Sequence, residues 1–182
     1  MTDNRIFVMM AGIPGSGKST LANTIAKAID GQIISSDRIR GELHGDESCQ
    51  DDPELIFDTI YDRIETFAPY TNVVYDATNY LKHYRAEVLR HVYGRYDLVF
   101  CVYQNGYPTL EDCLKNNLKR KRQVPYKVIC NMWNKFECPK PIEGFDACIT
   151  FDQLFDWLYD VVEGDILEWT SCTNTHSDKA RS

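Results

Sequence analysis

The stretch Gly12-Ile13-Pro14-Gly15-Ser16-Gly17-Lys18-Ser19 decides the fold, because it fits the pattern G-x-x-x-x-G-K-[ST] at every fixed position. It follows the apolar run Ile6–Met10, which predicts a buried strand, and precedes Leu21–Ile29, whose apolar spacing predicts a helix. Its glycines let the backbone turn tightly around phosphate oxygens, and its N–H groups then point inward next to the positive end of the helix dipole. The stretch therefore predicts a phosphate-binding loop.

The side chains of this loop predict its ligand. Lys18 is expected to bridge the β- and γ-phosphates of a nucleoside triphosphate, and the Ser19 hydroxyl to ligate Mg²⁺. A glycine-rich turn that matches by chance is the alternative, and the flanking strand and helix argue against it. ATP and Mg²⁺ are the predicted cofactors, and the predicted nucleotide-binding residues are Gly12, Gly15, Ser16, Gly17, Lys18, Ser19 and Thr20.

Strand and helix patterns alternate along the rest of the chain. This alternation is typical of an α/β fold with a parallel sheet and helices on both faces. We expect a P-loop NTPase-type sheet of about five strands together with a helical lid. Short apolar runs predict the strands at 6–10, 32–35, 73–75, 98–103 and 147–151.

The length of 182 residues fits one domain. We expect a P-loop kinase domain over residues 1–169, with the lid at about 115–136, and a polar, disordered tail over 170–182. The seven cysteines include no CxxC pair, and their odd number predicts reduced thiols. No apolar run reaches the roughly 18 residues of a membrane span, and no signal peptide precedes the first strand, so we expect a cytoplasmic protein without a membrane partner.

Two acidic positions follow predicted strands, where ligands of open α/β sheets bind. Asp76 ends the third strand and is predicted to orient Mg²⁺, with a strand-end cap as the alternative. Asp37 follows the second strand and is predicted to accept the proton of an attacking hydroxyl. Arg40 lies on the same side if Asp37 opens a helical turn. The alternative for this pair is a helix-capping aspartate with a solvated arginine.

Lys119-Arg120-Lys121-Arg122 is a dense basic run between two predicted helices, in a chain with a net charge of −7. Cations at this position are expected to close over a triphosphate and stabilise the charge that develops in transfer. A solvated basic face is the alternative. The net charge gives no support for broad nucleic-acid binding, but it does not exclude a local basic channel.

These residues resemble the polynucleotide 5′-hydroxyl kinases of phage and bacterial end-healing enzymes. The matching pieces are Gly12–Thr20, Ser35-Ser36-Asp37 with Arg40-Gly41, Val74–Asn79, and Lys115-Asn116 through Arg122–Val124. The resemblance implies that Asp37 is the general base and that Arg40 binds the phosphate next to the acceptor hydroxyl. It also implies substrate contacts for Thr78, Asn79 and Arg85 in and after the D-A-T-N segment.

The lid departs from the family pattern R-N-x-x-R, because Lys115 and Lys119 stand where the family has arginines. Lysine does not reproduce the bidentate phosphate contact of arginine. Either Arg120 or Arg122 takes over this role after a shift in register, or the lid acts more weakly. Both arginines are therefore candidate catalytic residues.

The predicted reaction is transfer of the ATP γ-phosphate to a 5′-hydroxyl end of DNA or RNA, catalysed by Lys18, Asp37, Arg40 and the lid arginines. Two alternatives stay open. One is a kinase of a small metabolite or nucleotide sugar, similar to the zeta-type toxin kinases. The other is a nucleotide-binding regulator without turnover. The sequence predicts neither the choice between DNA and RNA nor the oligomeric state.

Overall fold

The computed structural model describes residues 4–47, 49 and 51–163, and five parallel strands form its central sheet. The order across the sheet is β2-β3-β1-β4-β5. β1 lies in the middle, where Val8 is paired with Val74 on one side and with Phe100 on the other. The predicted fold class is confirmed. The strands are β1 (Ile6–Ala11), β2 (Gly31–Ser35), β3 (Asn72–Asp76), β4 (Leu98–Tyr103) and β5 (Ala147–Thr150).

Seven α-helices connect and flank these strands within the described ranges. The predicted tail over 170–182 lies outside those ranges, as does Cys172. No helix of the described part is long and apolar enough to cross a membrane. The helices are α1 (Lys18–Ala28), α2 (Ser36–His44), α3 (Pro53–Phe67), α4 (Lys82–Val92), α5 (Leu110–Leu118), α6 (Tyr126–Asn134) and α7 (Leu154–Glu163), with a 3₁₀ turn at Pro141–Glu143 before β5.

The core lies on both faces of the sheet, which is why β1 is a continuous apolar run that is buried along its whole length. Apolar side chains of α1 and α7 cover one face, where Trp157 packs against Phe100. Ile60 and Ile64 of α3, with Val88 of α4, cover the other face. Because helices cover both faces of the sheet, a ligand site can form only at the ends of the strands.

The strand order reverses at β1, because the chain crosses from β2 and β3 on one side to β4 and β5 on the other. In open α/β sheets, ligands bind in the crevice outside the carboxyl ends of the strands at such a point. The phosphate-binding loop follows β1, Asp37 follows β2, and Asp76 ends β3. Sheet topology therefore brings residues together that lie up to some 60 positions apart in the sequence.

Candidate active site

A cleft of about 890 Å³ opens at the carboxyl edge of the sheet, within the range typical of ligand pockets. Four segments line it: the phosphate-binding loop with the start of α1, the first turns of α2, the end of β3 with the two residues after it, and the segment from α5 to α6. The cleft contains Lys18, Asp37, Arg40, Asp76, Arg120 and Arg122. The structure thus brings all the predicted catalytic residues into one cavity.

Hydrogen bonds to residues that follow β3 and β4 fix the phosphate-binding loop. The Gly12 N–H donates to the Thr78 carbonyl at 2.9 Å, and the Ile13 N–H donates to Oε1 of the buried Gln104 at 3.2 Å. Gly15 adopts φ +85°, and a Cβ there would meet the Cys113 carbonyl oxygen of α5 at 2.1 Å. Only glycine fits this approach, because both the backbone conformation and the space exclude a side chain.

Lys18 is the buried cation of the cleft. Its ammonium Nζ donates to the Ile13 carbonyl at 3.0 Å, and the residue is 8% exposed. Burial lowers the pKa of Lys18; the nearby Asp76 carboxylate opposes this shift, and the charge of Arg120 adds to it. A cation held out of water in this way gains more from an anionic ligand than an exposed lysine does.

The loop has the features that a polyphosphate requires. Ser16 Oγ is buried without a hydrogen-bond partner in the described structure, and a Cβ on Gly12 would approach that oxygen to 2.9 Å. A buried hydroxyl without a partner is costly unless a ligand satisfies it. The donors of this cradle, which are the loop amides, Ser16 and Lys18, are therefore suited to phosphate oxygens.

Ser19 and Asp76 both line the cleft and are the residues suited to Mg²⁺. No group of three or more His, Cys, Asp or Glu side chains suited to a metal occurs in the ranges that the structure describes. The two oxygen donors Ser19 and Asp76 fit Mg²⁺ in phosphate-transfer sites, where the ion uses one or two protein oxygens and takes the rest from phosphates and water.

Asp37 lies in the first turn of α2 but does not cap the helix. The N-cap is Ser35, whose Oγ accepts from the Arg38 N–H at 3.5 Å. Arg40 Nη1 donates to Asp37 Oδ1 at 2.9 Å, and the Arg40 side chain is only 17% exposed. The alternative of a capping aspartate beside a solvated arginine therefore does not hold.

The two lid arginines converge on the same carboxylate. Arg122 Nη1 donates to Asp37 Oδ1 at 2.9 Å, and Arg120 Nη2 lies 3.8 Å from Asp37 Oδ2. Lys115 instead pairs with Glu111 at 2.7 Å, where both side chains are largely exposed. Within the described chain, the arginines of the basic run and not Lys115 therefore stand over the cleft.

Asn117 shapes the loop that carries these arginines. Its Nδ2 donates to the Val124 carbonyl at 2.9 Å, and its Oδ1 accepts from the Val124 N–H at 3.0 Å. Gln123 Nε2 adds a bond to the Leu118 carbonyl at 3.1 Å. The buried Asn117 thus joins the two ends of the basic loop, which aims Arg120 and Arg122 into the cleft.

Two residues that the resemblance implies as substrate contacts lie outside the lining of the cleft. The buried Asn79 donates from Nδ2 to the Met10 carbonyl at 2.8 Å. Arg85 is fully buried, and its Nε and Nη2 donate to both carboxylate oxygens of Glu143 at 2.8 and 2.9 Å. Its Nη1 bonds the carbonyls of Asn79 and Glu137 at 3.0 and 2.9 Å. The geometry gives both residues structural partners, while Thr78 lines the cleft as expected.

Two residues that hold the site together, Gln104 and Asn116, were not predicted as site residues. Gln104 holds the Ile13 amide, and Asn116 of α5 donates from Nδ2 to the Gly15 carbonyl at 3.1 Å, so that the lid contacts the phosphate-binding loop directly. The position of Gln104 directly after β4 was the available signal, because every strand end faces this edge. One wall of the cleft is apolar and consists of Val124, Pro125, Val128 and Met132.

A phosphate-binding loop between β1 and α1, a lid with basic residues and an all-parallel sheet together define a P-loop kinase domain. The chain belongs to the AAA domain family, whose model matches residues 7–139. It is 28% identical over 170 residues to an L-seryl-tRNA(Sec) kinase of Methanococcus maripaludis, a match that covers 90% of this chain. The chain spans 65% of that kinase's own length, which is less than two thirds.

Solved structures share the fold. One chain of a Pnkp1/Rnl/Hen1 RNA repair complex is 22% identical, with a TM-score of 0.60, over 74% of this chain and 45% of that chain. A gluconokinase from Sinorhizobium meliloti is 19% identical, with a TM-score of 0.58, over 91% of this chain and 97% of its own. At these identities the likeness establishes the P-loop kinase fold and leaves the acceptor open.

Proposed function

We propose that the protein is an ATP-dependent polynucleotide 5′-hydroxyl kinase. The observation that carries the proposal is the presence of Asp37, bonded to Arg40, in the same cleft as Lys18. A carboxylate suited to take a proton thus faces a loop suited to hold a triphosphate. A guanidinium stands beside that carboxylate, where an acceptor with a neighbouring phosphate needs one.

In the proposed reaction the acceptor hydroxyl oxygen forms a bond to the γ-phosphorus of ATP, and the bond from that phosphorus to the β–γ bridging oxygen breaks. The hydroxyl proton passes to Asp37, and ADP leaves. Lys18 and the loop amides hold phosphate oxygens in position, which is how such sites lower the barrier. Mg²⁺, when bound by Ser19 and Asp76, supplies further charge neutralisation at the phosphates.

Two further points support a nucleic-acid acceptor. The D-A-T-N and S-S-D-x-x-R segments that carry the family resemblance both contribute residues to the cleft: Asp76, Ala77 and Thr78 from the first, and Ser36, Asp37 and Arg40 from the second. The L-seryl-tRNA(Sec) kinase relative, of which this chain spans 65%, is named for an acceptor that is attached to tRNA. A cytoplasmic location belongs to the same proposal.

Kinase activity on a small hydroxyl compound is the second candidate. The net charge of −7 favours it, since a chain of this charge gives little long-range attraction to a polyanion. The apolar wall that includes Val128 and Met132 also suits a compact acceptor.

A transfer assay with γ-labelled ATP tests the proposal. The panel contains 5′-hydroxyl DNA and RNA oligonucleotides, the same oligonucleotides blocked with a 5′-phosphate, and phosphate-free sugars and nucleosides. We expect label mainly on the 5′-hydroxyl oligonucleotides, at least about 10-fold above the phosphate-free nucleosides, with the DNA-to-RNA ratio giving the preference. Label on a phosphate-free alcohol and not on oligonucleotides would support the second candidate. ATP binding without label on any acceptor would indicate a regulator instead.

A further inference from the structure

The acceptor side of the cleft carries more positive charge than its own carboxylate balances. Arg40, Arg120 and Arg122 all lie within 4 Å of Asp37, at 2.9, 3.8 and 2.9 Å. Three guanidinium groups and one carboxylate leave a surplus of two positive charges. Arg40 Nε is also buried without a hydrogen-bond partner in the described structure. A surplus of guanidinium charge with a buried spare donor is suited to an anion, so the cluster has the charge and donors of an anion site.

The two lid arginines do not occupy equivalent positions in this cluster. Arg122 shares Oδ1 of Asp37 with Arg40, and its side chain is 27% exposed. Arg120 lies at the longer distance from Oδ2, and its side chain is 38% exposed. Arg122 and Arg40 thus meet on one oxygen, and Arg120 lies apart from that contact.

We infer that Arg122 and Arg40 form a two-arginine clamp for an anionic group of the acceptor. The inference rests on the proposed function, because it concerns the acceptor half of the same cleft. It separates the two arginines of the basic run: Arg122 confers acceptor specificity, and Arg120 lies outside the clamp.

Asp37 keeps the clamp in place before the acceptor binds. Both clamp arginines donate from Nη1 to its Oδ1, which holds the two guanidinium groups together and leaves Arg40 Nε as a spare donor. A phosphate has more acceptor oxygens than a carboxylate and matches the fork geometry of arginine. When the acceptor phosphate takes over these donors, Oδ1 is released and becomes able to accept the hydroxyl proton. Acceptor binding and activation of the general base are thereby linked.

The clamp is tested by binding rather than by turnover. The protein is first saturated with Mg²⁺ and a non-hydrolysable ATP analogue, which fills the donor half. Inorganic phosphate is then titrated, followed by thymidine 3′-monophosphate. The variants are Arg122→Ala, Arg122→Lys, Arg40→Ala and Arg120→Ala. Lys121→Ala is the matched control, because Lys121 is exposed and lies between the two lid arginines.

We expect Arg122→Ala and Arg40→Ala each to weaken phosphate binding by about 10- to 100-fold, the value of one charged hydrogen bond, and to change affinity for the ATP analogue less than about 3-fold. Arg122→Lys should fall between Arg122→Ala and the wild type. Arg120→Ala, outside the clamp, should weaken phosphate binding less than Arg122→Ala does. Thermal melting of each variant checks that it is folded.

Weaker binding of the analogue in Arg122→Ala, with phosphate binding unchanged, would overturn the clamp and make Arg122 a donor-side residue. Absence of phosphate binding to the loaded wild type would overturn it as well. A wild type that binds inorganic phosphate through Arg40 and Arg122 but does not bind thymidine 3′-monophosphate would keep the clamp and refute the polynucleotide acceptor. The two proposals therefore fail in different ways.

Discussion

The two halves of the cleft are built differently. Hydrogen bonds from the loop amides to the Thr78 carbonyl and to the Gln104 side chain hold the donor half, and its buried cation, Lys18, is 8% exposed. Side-chain charges hold the acceptor half, where arginines from α2 and the lid meet on Asp37, which is 38% exposed. Backbone bonds preform a site, whereas ion pairs can exchange partners. The donor half is thus a fixed cradle, and the acceptor half changes its partners on binding.

The largest effect is expected for Asp37→Asn, which keeps the shape of the side chain but removes the base. The kcat should fall by about 100- to 10,000-fold for every acceptor, with or without a phosphate, because each has a hydroxyl proton to lose. Steady-state kinetics measure this, with the exposed Asp62→Asn as control. A kcat for Asp37→Asn close to the wild-type value would remove the general base from the mechanism.

Lys18→Met tests the donor half. Transfer should fall by roughly 100- to 1,000-fold, since the ammonium stabilises charge that develops on the transferred group. Lys27→Met is the matched control, because Lys27 lies exposed in the last turn of the same helix α1. The account is contradicted if pure Lys18→Met, with a normal melting curve, transfers phosphate at the rate of the control.

Arg85→Met tests whether an arginine that lies outside the cleft contributes to the stability of the fold. Loss of one partner of the buried Arg85–Glu143 pair should lower the free energy of unfolding by about 3–5 kcal/mol. Arg90→Met, which breaks an exposed pair on the same helix, should cost less than about 1 kcal/mol. Urea denaturation gives both values. Equal losses in the two variants would mean that the Arg85 pair contributes no more than a surface pair.

Arg40→Ala tests selectivity in the acceptor half. For an acceptor with a phosphate, kcat/KM should fall by the equivalent of about 1.5–3 kcal/mol, the value of a charged hydrogen bond. For a phosphate-free nucleoside it should change little. Arg38→Ala, an exposed neighbour on α2, serves as control. Equal losses for both kinds of acceptor would show that Arg40 does not bind the acceptor phosphate.

The smallest effect expected is the change that Lys18→Met makes to the pH dependence of the free energy of unfolding. Because burial lowers the pKa of Lys18 below the usual 10.5, the charged lysine destabilises the nucleotide-free fold at all pH values below the lowered pKa. Between that pKa and 10.5 the unfolded chain binds more protons, so wild-type stability rises with pH. Lys18→Met should therefore be more stable near about pH 7, with an advantage that shrinks towards about pH 10. Urea denaturation at both pH values measures this difference in the free energy of unfolding. A difference that stays constant or grows towards the higher pH would contradict the buried charge.

Much of the donor half was predictable, because the phosphate-binding loop is a contiguous motif whose backbone determines its function. In the acceptor half, only the pairing of Asp37 with Arg40 was predictable, because residues three apart in a helix share a face, and the two do so on α2. That Arg122, 85 positions away, joins them could not be read from periodicity, since it depends on how the lid packs.

The roles of Arg85 and Asn117 show the same limit. A resemblance cannot distinguish an arginine that contacts substrate from one that is buried against Glu143, 58 positions later. Asn117 reads as one polar residue of a helix, and its two bonds to Val124 arise only once the basic loop has closed. Both roles depend on contacts between distant segments, which are set by tertiary packing.

The central claim is that the acceptor half selects a hydroxyl compound that carries a phosphate. The most direct measurement is wild-type kcat/KM for two acceptors that differ only in that group, thymidine 3′-monophosphate and thymidine, at saturating ATP and Mg²⁺. A phosphate-binding acceptor half predicts a preference of at least about 10-fold for the monophosphate, the value of one charged hydrogen bond. Equal use of the two acceptors, or a preference for thymidine, would contradict it.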